Sequence, residues 1–161
     1  MKHLLIPITA LVVVGCSTTE APSTVQDHDT TDVVVETDAQ VATRLLLEQQ
    51  TKERRTHIVL FDFDSSQLRP EYLSILRAHA AYLKQHPDTS LVVEGHTDDE
   101  GTEYYNLGLG ERRAQRVGRY LIDNGVKPSQ LVVIGRAYHY PRAHEDTPAA
   151  RQSNRRVALI Y

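Results

Sequence analysis

The 161-residue chain has one cysteine, a formal net charge of only -3, and no apolar run long enough to cross a bilayer. A single cysteine excludes an internal disulfide. The run from Leu4 to Val14 falls well short of the roughly 20 apolar residues a membrane helix needs. So small a net charge exerts no pull on a polyanion, which argues against nucleic acid as a partner. Residues 17–39 contain neither Lys nor Arg but six acids, Glu20, Asp27, Asp29, Asp32, Glu36 and Asp38. Low hydrophobicity with charge of one sign cannot offset ordering entropy, so this stretch is expected to be disordered. Without those six acids and Lys2, 15 acidic and 17 basic residues remain. The acidic imbalance therefore belongs to residues 17–39 and not to the rest of the chain.

Residues 1–15, MKHLLIPITALVVVG, place a positive start at Lys2 before the short apolar run, the pattern of an export signal. The run ends in Val-Val-Gly-Cys16, which is similar to the bacterial lipobox, where cleavage leaves the cysteine as a new N-terminus for acylation. Two or three acyl chains, at about 0.8 kcal/mol per buried methylene, make a firm anchor. Ser17 follows the cysteine. The resemblance to Gram-negative lipoproteins implies delivery to the outer membrane, because Asp at that position tends to retain such proteins in the inner one. The expected organisation is a signal peptide over 1–15, a lipidated cysteine with an acidic flexible tether over 16–55, and a folded domain over 56–161. A coil of some 40 residues averages roughly 35 Å end to end and stretches to roughly 130 Å. Within 40–55, Val41, Leu45 and Glu48-Gln49 are spaced as an amphipathic helix would have them, without deciding the matter.

The remaining chain alternates strand and helix signals. HIVLFDFD (57–64) reads as a buried strand and Ser65-Ser66 as a turn. Pro70 suits a helix start, and Leu73, Leu76, Ala80 and Leu83 keep helical spacing until His86-Pro87-Asp88. LVVEG (91–95) is a second strand. Thr102 is placed to cap a helix whose apolar seam is Leu107, Ala114, Val117 and Leu121 and whose stop is Gly125. Pro128-Ser-Gln turns into a strand over 131–134. A loop over 135–147 follows, with a helical turn beginning at Thr147-Pro148, and then a strand over 155–161. Helices after the first two strands imply crossovers on one sheet face, hence an α/β (α+β) two-layer sandwich.

The chemistry converges on residues 95–121. Asn106, Gly110 and Arg113 share one helical stripe beside the seam, near a helix N-terminus whose free amides and dipole favour an anion. The preceding loop brings the opposite sign in Asp98, Asp99 and Glu100. Carboxylates at one end and a guanidinium at the other suit a zwitterion. Arg112, Arg116 and Arg119 fall on the solvent side and are read as surface or partner-contacting. His96 beside Asp98 invites a hydrolase reading, but no GxSxG-type elbow or cysteine nucleophile is present. A metal site from His96, Asp98, Asp99 and His144 lacks a recognised ligand spacing. His96 is instead expected to hydrogen-bond the backbone and fix the loop, with no catalytic residue, metal or cofactor.

GHTDDEGTEYYNLGLGERRAQRV (95–117), with FDFDSSQL upstream and NRRV downstream, resembles the signature of the OmpA-like peptidoglycan-binding domain, most closely its lipoprotein branch. The resemblance covers about 56–161 and implies a four-stranded mixed sheet with both helices on one face. It implies that Asp98 takes the ammonium of diaminopimelate in the peptidoglycan stem peptide and Arg113 the carboxylate on the same carbon. It places Phe63, Asp64, Asn106 and Arg156 around that pocket; Arg155 and Arg156 alternate across a strand, and Arg156 is chosen as the one facing it. The implied role is a non-enzymatic tether between outer membrane and cell wall, with TolB, other Tol proteins or OmpA-like proteins as partners. The alternatives are a peptidoglycan hydrolase and a sensing lipoprotein outside the Tol system. The chain departs from this branch at Glu100, where relatives generally carry arginine, at Glu103-Tyr104 in place of Pro-Glu, and at Ala137 in place of glycine. These lie on the pocket rim and put the TolB partnership, more than peptidoglycan binding, in question.

Overall fold

The structure, a computed structural model, describes residues 36–161, so the export signal, Cys16 and most of the acidic stretch lie outside the described residues. Residues Glu36–Tyr161 form one compact unit. In chain order it contains α1 (Asp38–Arg54), β1 (Ile58–Leu60), α2 (Leu73–Gln85), β2 (Leu91–His96), α3 (Glu103–Asp123), β3 (Leu131–Ala137), α4 (Pro148–Asn154) and β4 (Arg156–Ile160). The sheet order is β1-β4-β2-β3. β2 and β3 are parallel, while β4 runs antiparallel to both β1 and β2. This is the expected mixed four-stranded sheet in an α+β fold.

Alternation along the strands decides which face is covered. Val59, Leu91, Val93, Val157 and Leu159 are buried with Leu76, Ala80 and Leu83 of α2 and Ala114, Val117 and Leu121 of α3. Both helices therefore lie on one face. The region left open at 40–55 is helical: Thr37 and Gln40 form a capping box at the start of α1. α1 has no buried residue of its own. At its C-terminal end it meets α2, where Arg54 sits 4.0 Å over the Tyr82 ring.

Three glycines set the distance between α3 and the sheet. A Cβ on Gly95 would lie 1.8 Å from the Gly110 carbonyl oxygen, one on Gly110 2.7 Å from the Gly95 oxygen, and one on Gly135 2.8 Å from the Glu111 nitrogen. Helix backbone thus rests on strand backbone, where any side chain would force the layers apart. Ala137, where the family resemblance leads one to expect glycine, adopts φ +49. An alanine there carries a left-handed strain that glycine would not.

Two expectations need correction. The first strand stops at Leu60 rather than Asp64: the Phe61 N–H still reaches the Arg155 carbonyl, but the chain then turns at Phe63-Asp64, with Asp64 at φ +50. The third strand continues three residues past 134, to Ala137. In the α3 seam, Leu107 is 46% exposed and Leu109 is buried. The other three seam residues, Ala114, Val117 and Leu121, are buried as expected.

His79 is fully buried in α2. Its Nε2 lies 2.9 Å from the Thr56 carbonyl, so that nitrogen donates and Nδ1 accepts from the Tyr161 hydroxyl at 2.7 Å. Burial lowers its pKa to about 4, and does the same to His96. Between pH 6.5 and about 4 the unfolded chain binds protons that the folded chain refuses. Stability should therefore fall as pH drops through that window and level off below it, by on the order of 3 kcal/mol for each buried imidazole. Urea titrations across this range should show the slope, and His79→Gln should remove roughly half of it. Thermal unfolding tests the glycine crossing. Gly95→Ala should cost about 3 kcal/mol or more. Gly108→Ala, whose Cβ would meet only the flexible end of Arg112, should instead gain about 0.5–1 kcal/mol.

Candidate functional site

Where α3 begins, a cleft of about 280 Å³ is lined by Phe63, Asp64, Asp98, Glu100, Gly101, Tyr105, Asn106 and Leu109. Each wall has a local cause. Thr102 caps α3 by accepting from the Tyr105 amide at 3.3 Å. Gly101 adopts φ +98 just before it, a turn that a side chain would strain. Asn106, 1% exposed, donates from Nδ2 to the Glu100 carbonyl at 2.9 Å and so pins the loop to the helix. The Tyr105 hydroxyl donates to Asp64 Oδ1. That bond, to a carboxylate, is the main reason the tyrosine's pKa is raised.

The two arginines nearest the cleft stand behind its walls. Arg113 is wholly buried. Its Nε donates to the Ser65 carbonyl at 2.7 Å, Nη1 to that of His96 at 2.9 Å and Nη2 to that of Asp62 at 3.0 Å. The guanidinium also lies 5.4 Å from the Phe61 ring centroid. A guanidinium has five N–H groups, so these three bonds leave two. Burial pulls its pKa down to about 10, with Asp98 pulling the other way, so it remains charged at neutral pH. Asp98, 4% exposed, accepts from Arg155 Nη1 at 2.7 Å through Oδ2. Arg155 Nη2 donates to Gln152, and its Cζ lies 6.0 Å from the Phe63 ring. Phe63 itself is 59% exposed, so it forms a lip of the cleft rather than part of the core.

The structure thus brings Phe63, Asp64, Asp98 and Asn106 together and sets Arg113 beneath them, but it puts Arg155 where Arg156 was expected. Arg155 is the C-terminal cap of α4, one residue before β4 begins. Arg156, the first residue of the strand, points to the sheet face away from α2 and α3, where it is buried and Nη2 donates to the Tyr140 carbonyl at 3.0 Å. Strand alternation does separate the two arginines, but the one beside the cleft is Arg155. His96 also departs from its expected role. Its Nε2 lies 3.7 Å from Glu94 and its buried Nδ1 has no hydrogen-bond partner. It is the backbone carbonyl of His96, not its ring, that fixes the loop, through Arg113. Among the described residues no cluster of His, Cys, Asp and Glu could hold a metal ion.

The rim carries acids paired outside the cleft. Glu100 meets Arg151 Nε at 3.1 Å, and Arg151 also bonds Asp146. Glu103 meets His139 at 3.0 Å. Asp99 faces a smaller hollow on the other side of the loop, with Thr97 and His144.

The model of the OmpA family matches residues 60–155. The chain belongs to the OmpA family. Among its OmpA-family relatives, a peptidoglycan-associated lipoprotein of Pasteurella multocida is 41% identical over 112 residues, which span 70% of this chain and 75% of that protein. One from Haemophilus influenzae is 40% identical over 109 residues, 68% of this chain and 71% of the relative. The crystal structure of the peptidoglycan-associated lipoprotein of Burkholderia pseudomallei superposes with a TM-score of 0.67 at 38% identity, covering 68% of this chain and 92% of that one. The OmpA-family match contains every residue of the cleft.

Because Arg113 joins three separate carbonyls, removing it should cost folding stability before it costs anything else. Arg113→Met should lower stability by about 3–5 kcal/mol in urea unfolding, since buried acceptors lose their donors. Arg113→Lys should recover only part, because a point ammonium cannot span the fork. An unchanged urea midpoint for Arg113→Met would rule out the clamp.

Proposed function

We propose that this OmpA-family protein binds the peptidoglycan stem peptide non-covalently through the cleft at the start of α3, and so ties the outer membrane to the cell wall. The observation that carries the reading is the cleft's division of charge. Asp64, Asp98 and Glu100 line it together with Tyr105 and Asn106 from the first turn of α3, and the guanidinium of Arg113 lies buried behind its wall. Diaminopimelate offers an ammonium and a carboxylate on one carbon, and this arrangement addresses both. The ammonium goes to Asp98 and Asp64. The carboxylate goes to the helix N-terminus, with the buried charge of Arg113 behind the wall adding to the positive potential there. Arg155 holds Asp98 in place. The names of the relatives, peptidoglycan-associated lipoproteins, support the same ligand.

The role is read as adhesive and not enzymatic, in keeping with relatives that are named for their association with peptidoglycan. Cys16 is the lipid attachment point, the outer membrane the site of anchorage, and the domain faces the periplasm. A Tol-system role with TolB or another Tol protein, or an association with OmpA-like proteins, is compatible with the exposed rim. The acids at Glu100 and Glu103 make that rim differ from the branch it resembles.

Binding to diaminopimelate-type sacculi and to sacculi with lysine in its place tests the reading, since lysine lacks the second carboxylate. The wild type should prefer the former. Asp98→Asn should weaken binding by about 30-fold or more, the cost of removing one partner of a desolvated charge pair. Arg155→Ala should weaken it similarly, whereas Arg156→Ala, on the opposite sheet face, should change affinity by less than about 1 kcal/mol. Equal losses from Arg155→Ala and Arg156→Ala, each checked for folding by circular dichroism, would sink the assigned cleft.

A further inference from the structure

Resting on that reading, we propose that the arginine stripe Arg112, Arg116 and Arg119 on the solvent face of α3 is a second contact surface, engaging carboxylates of stem peptides neighbouring the one in the cleft. The three positions are i, i+4 and i+7 of one helix and all are exposed. They run along one face for about 10 Å at the helical rise per residue. None has a carboxylate within ion-pair distance among the described residues, whereas Arg44, Arg69, Arg136, Arg151 and Arg155 each do. Nearby acid is not directed to them: Glu111 accepts from Gln115 at 2.9 Å. Like charges one turn apart repel and weaken the helix, and no ion pair within the described residues offsets that cost. The stripe is also continuous with the cleft. Arg112 Cζ lies 5.7 Å from the ring centroid of Tyr105, a cleft residue.

Charge complementarity selects the occupant. Every stem peptide carries carboxylates besides the one next to the diaminopimelate ammonium, and in a sacculus many stems lie side by side. A domain seated on one stem would present the stripe to its neighbours as a set of weak, additive, screened contacts. The cleft would give specificity, and the stripe would hold the protein on an intact wall more tightly than on an isolated fragment.

The test compares full-length protein with its Arg116→Gln/Arg119→Gln variant against three probes: diaminopimelate-type sacculi, one soluble diaminopimelate stem peptide, and vesicles of phosphatidylcholine with phosphatidylglycerol. The variant should bind sacculi about fivefold more weakly than wild type at low salt, with the difference vanishing at high salt, and should bind the soluble peptide as wild type does. Unchanged sacculus binding would overturn the proposal. So would vesicle binding by wild type that the variant loses, which would make the stripe a membrane contact. If wild type binds neither sacculi nor peptide, the cleft reading itself fails and takes this one with it.

Discussion

The buried guanidinium of Arg113 is the constraint on which the rest of the site depends. Its three bonded nitrogens reach Asp62 and Ser65 on one side and His96 at the end of β2 on the other. To present those carbonyls the chain after β1 must leave the sheet early and turn, which is why β1 is only three residues long and Asp64 sits at positive φ. That bend lifts Phe63 and Asp64 to the mouth of the cleft. The same bonds hold the end of β2, and with it the start of the loop that carries Asp98. A planar fork with donors on three nitrogens can tie two segments at once; an ammonium on a flexible stem cannot. Charge matters as well as shape. The cation under the floor is compensated by carbonyl dipoles and by nearby Asp98, so it costs less to bury than an isolated charge would.

The helix that delivers Arg113 can approach only because side chains are missing where it crosses the sheet. Gly95, Gly110 and Gly135 bring α3 to backbone contact with β2 and β3. This draws the helix start down to the level of the strand ends, where Thr102 caps it beside the acidic loop. Glycine, cap and arginine are thus one device. The glycines set depth, the cap sets where the helix begins, and Arg113, about three turns in, reaches back beneath the first of them. Side chains on a helix lean towards its N-terminus, which gives a long arginine this direction.

Much of this was legible in the sequence. The periods of α2, β2 and α3, the Thr102 cap and the separation of Arg113 from Arg112, Arg116 and Arg119 come from spacing alone, because each is a local property. What was not legible depended on contacts between distant segments. The early end of β1 is imposed by Arg113, which lies far along the chain. HIVLFDFD has the composition of a longer strand, and nothing local marks the bend. The exchange of Arg155 for Arg156 turned on where α4 ends, and a single-residue boundary is what sequence reads least well. Arg155 also had a readable clue: Gln152 stands one helical turn before it in a short helix begun by Thr147-Pro148, close enough to steady its guanidinium. The ring of His96 was expected to fix the loop by bonding backbone, while the group that acts is its carbonyl, which carries no sequence signal.

The rim shows how a site can change its surface while its floor stays fixed. Glu100, where the family resemblance leads one to expect arginine, adds a carboxylate to the cleft wall and is held by Arg151, which also takes Asp146. Glu103, on the first turn of α3, is met by His139. Both acids find a polar partner in the segment from β3 to α4, and Arg151 offsets the charge of Glu100 within the rim. An acid in the first turn of α3 also suits the helix dipole. The floor contacts of Arg113, Asp98 and Asn106 use neither of these side chains; Asn106 meets Glu100 only at its backbone carbonyl. The proposed recognition of an ammonium therefore does not depend on these rim acids, whereas a protein docking on the rim would meet their charge. On the proposed reading, ligand and partner specificity would rest on separate layers of one loop, because the contacts of the inner layer use no side chain of the outer one.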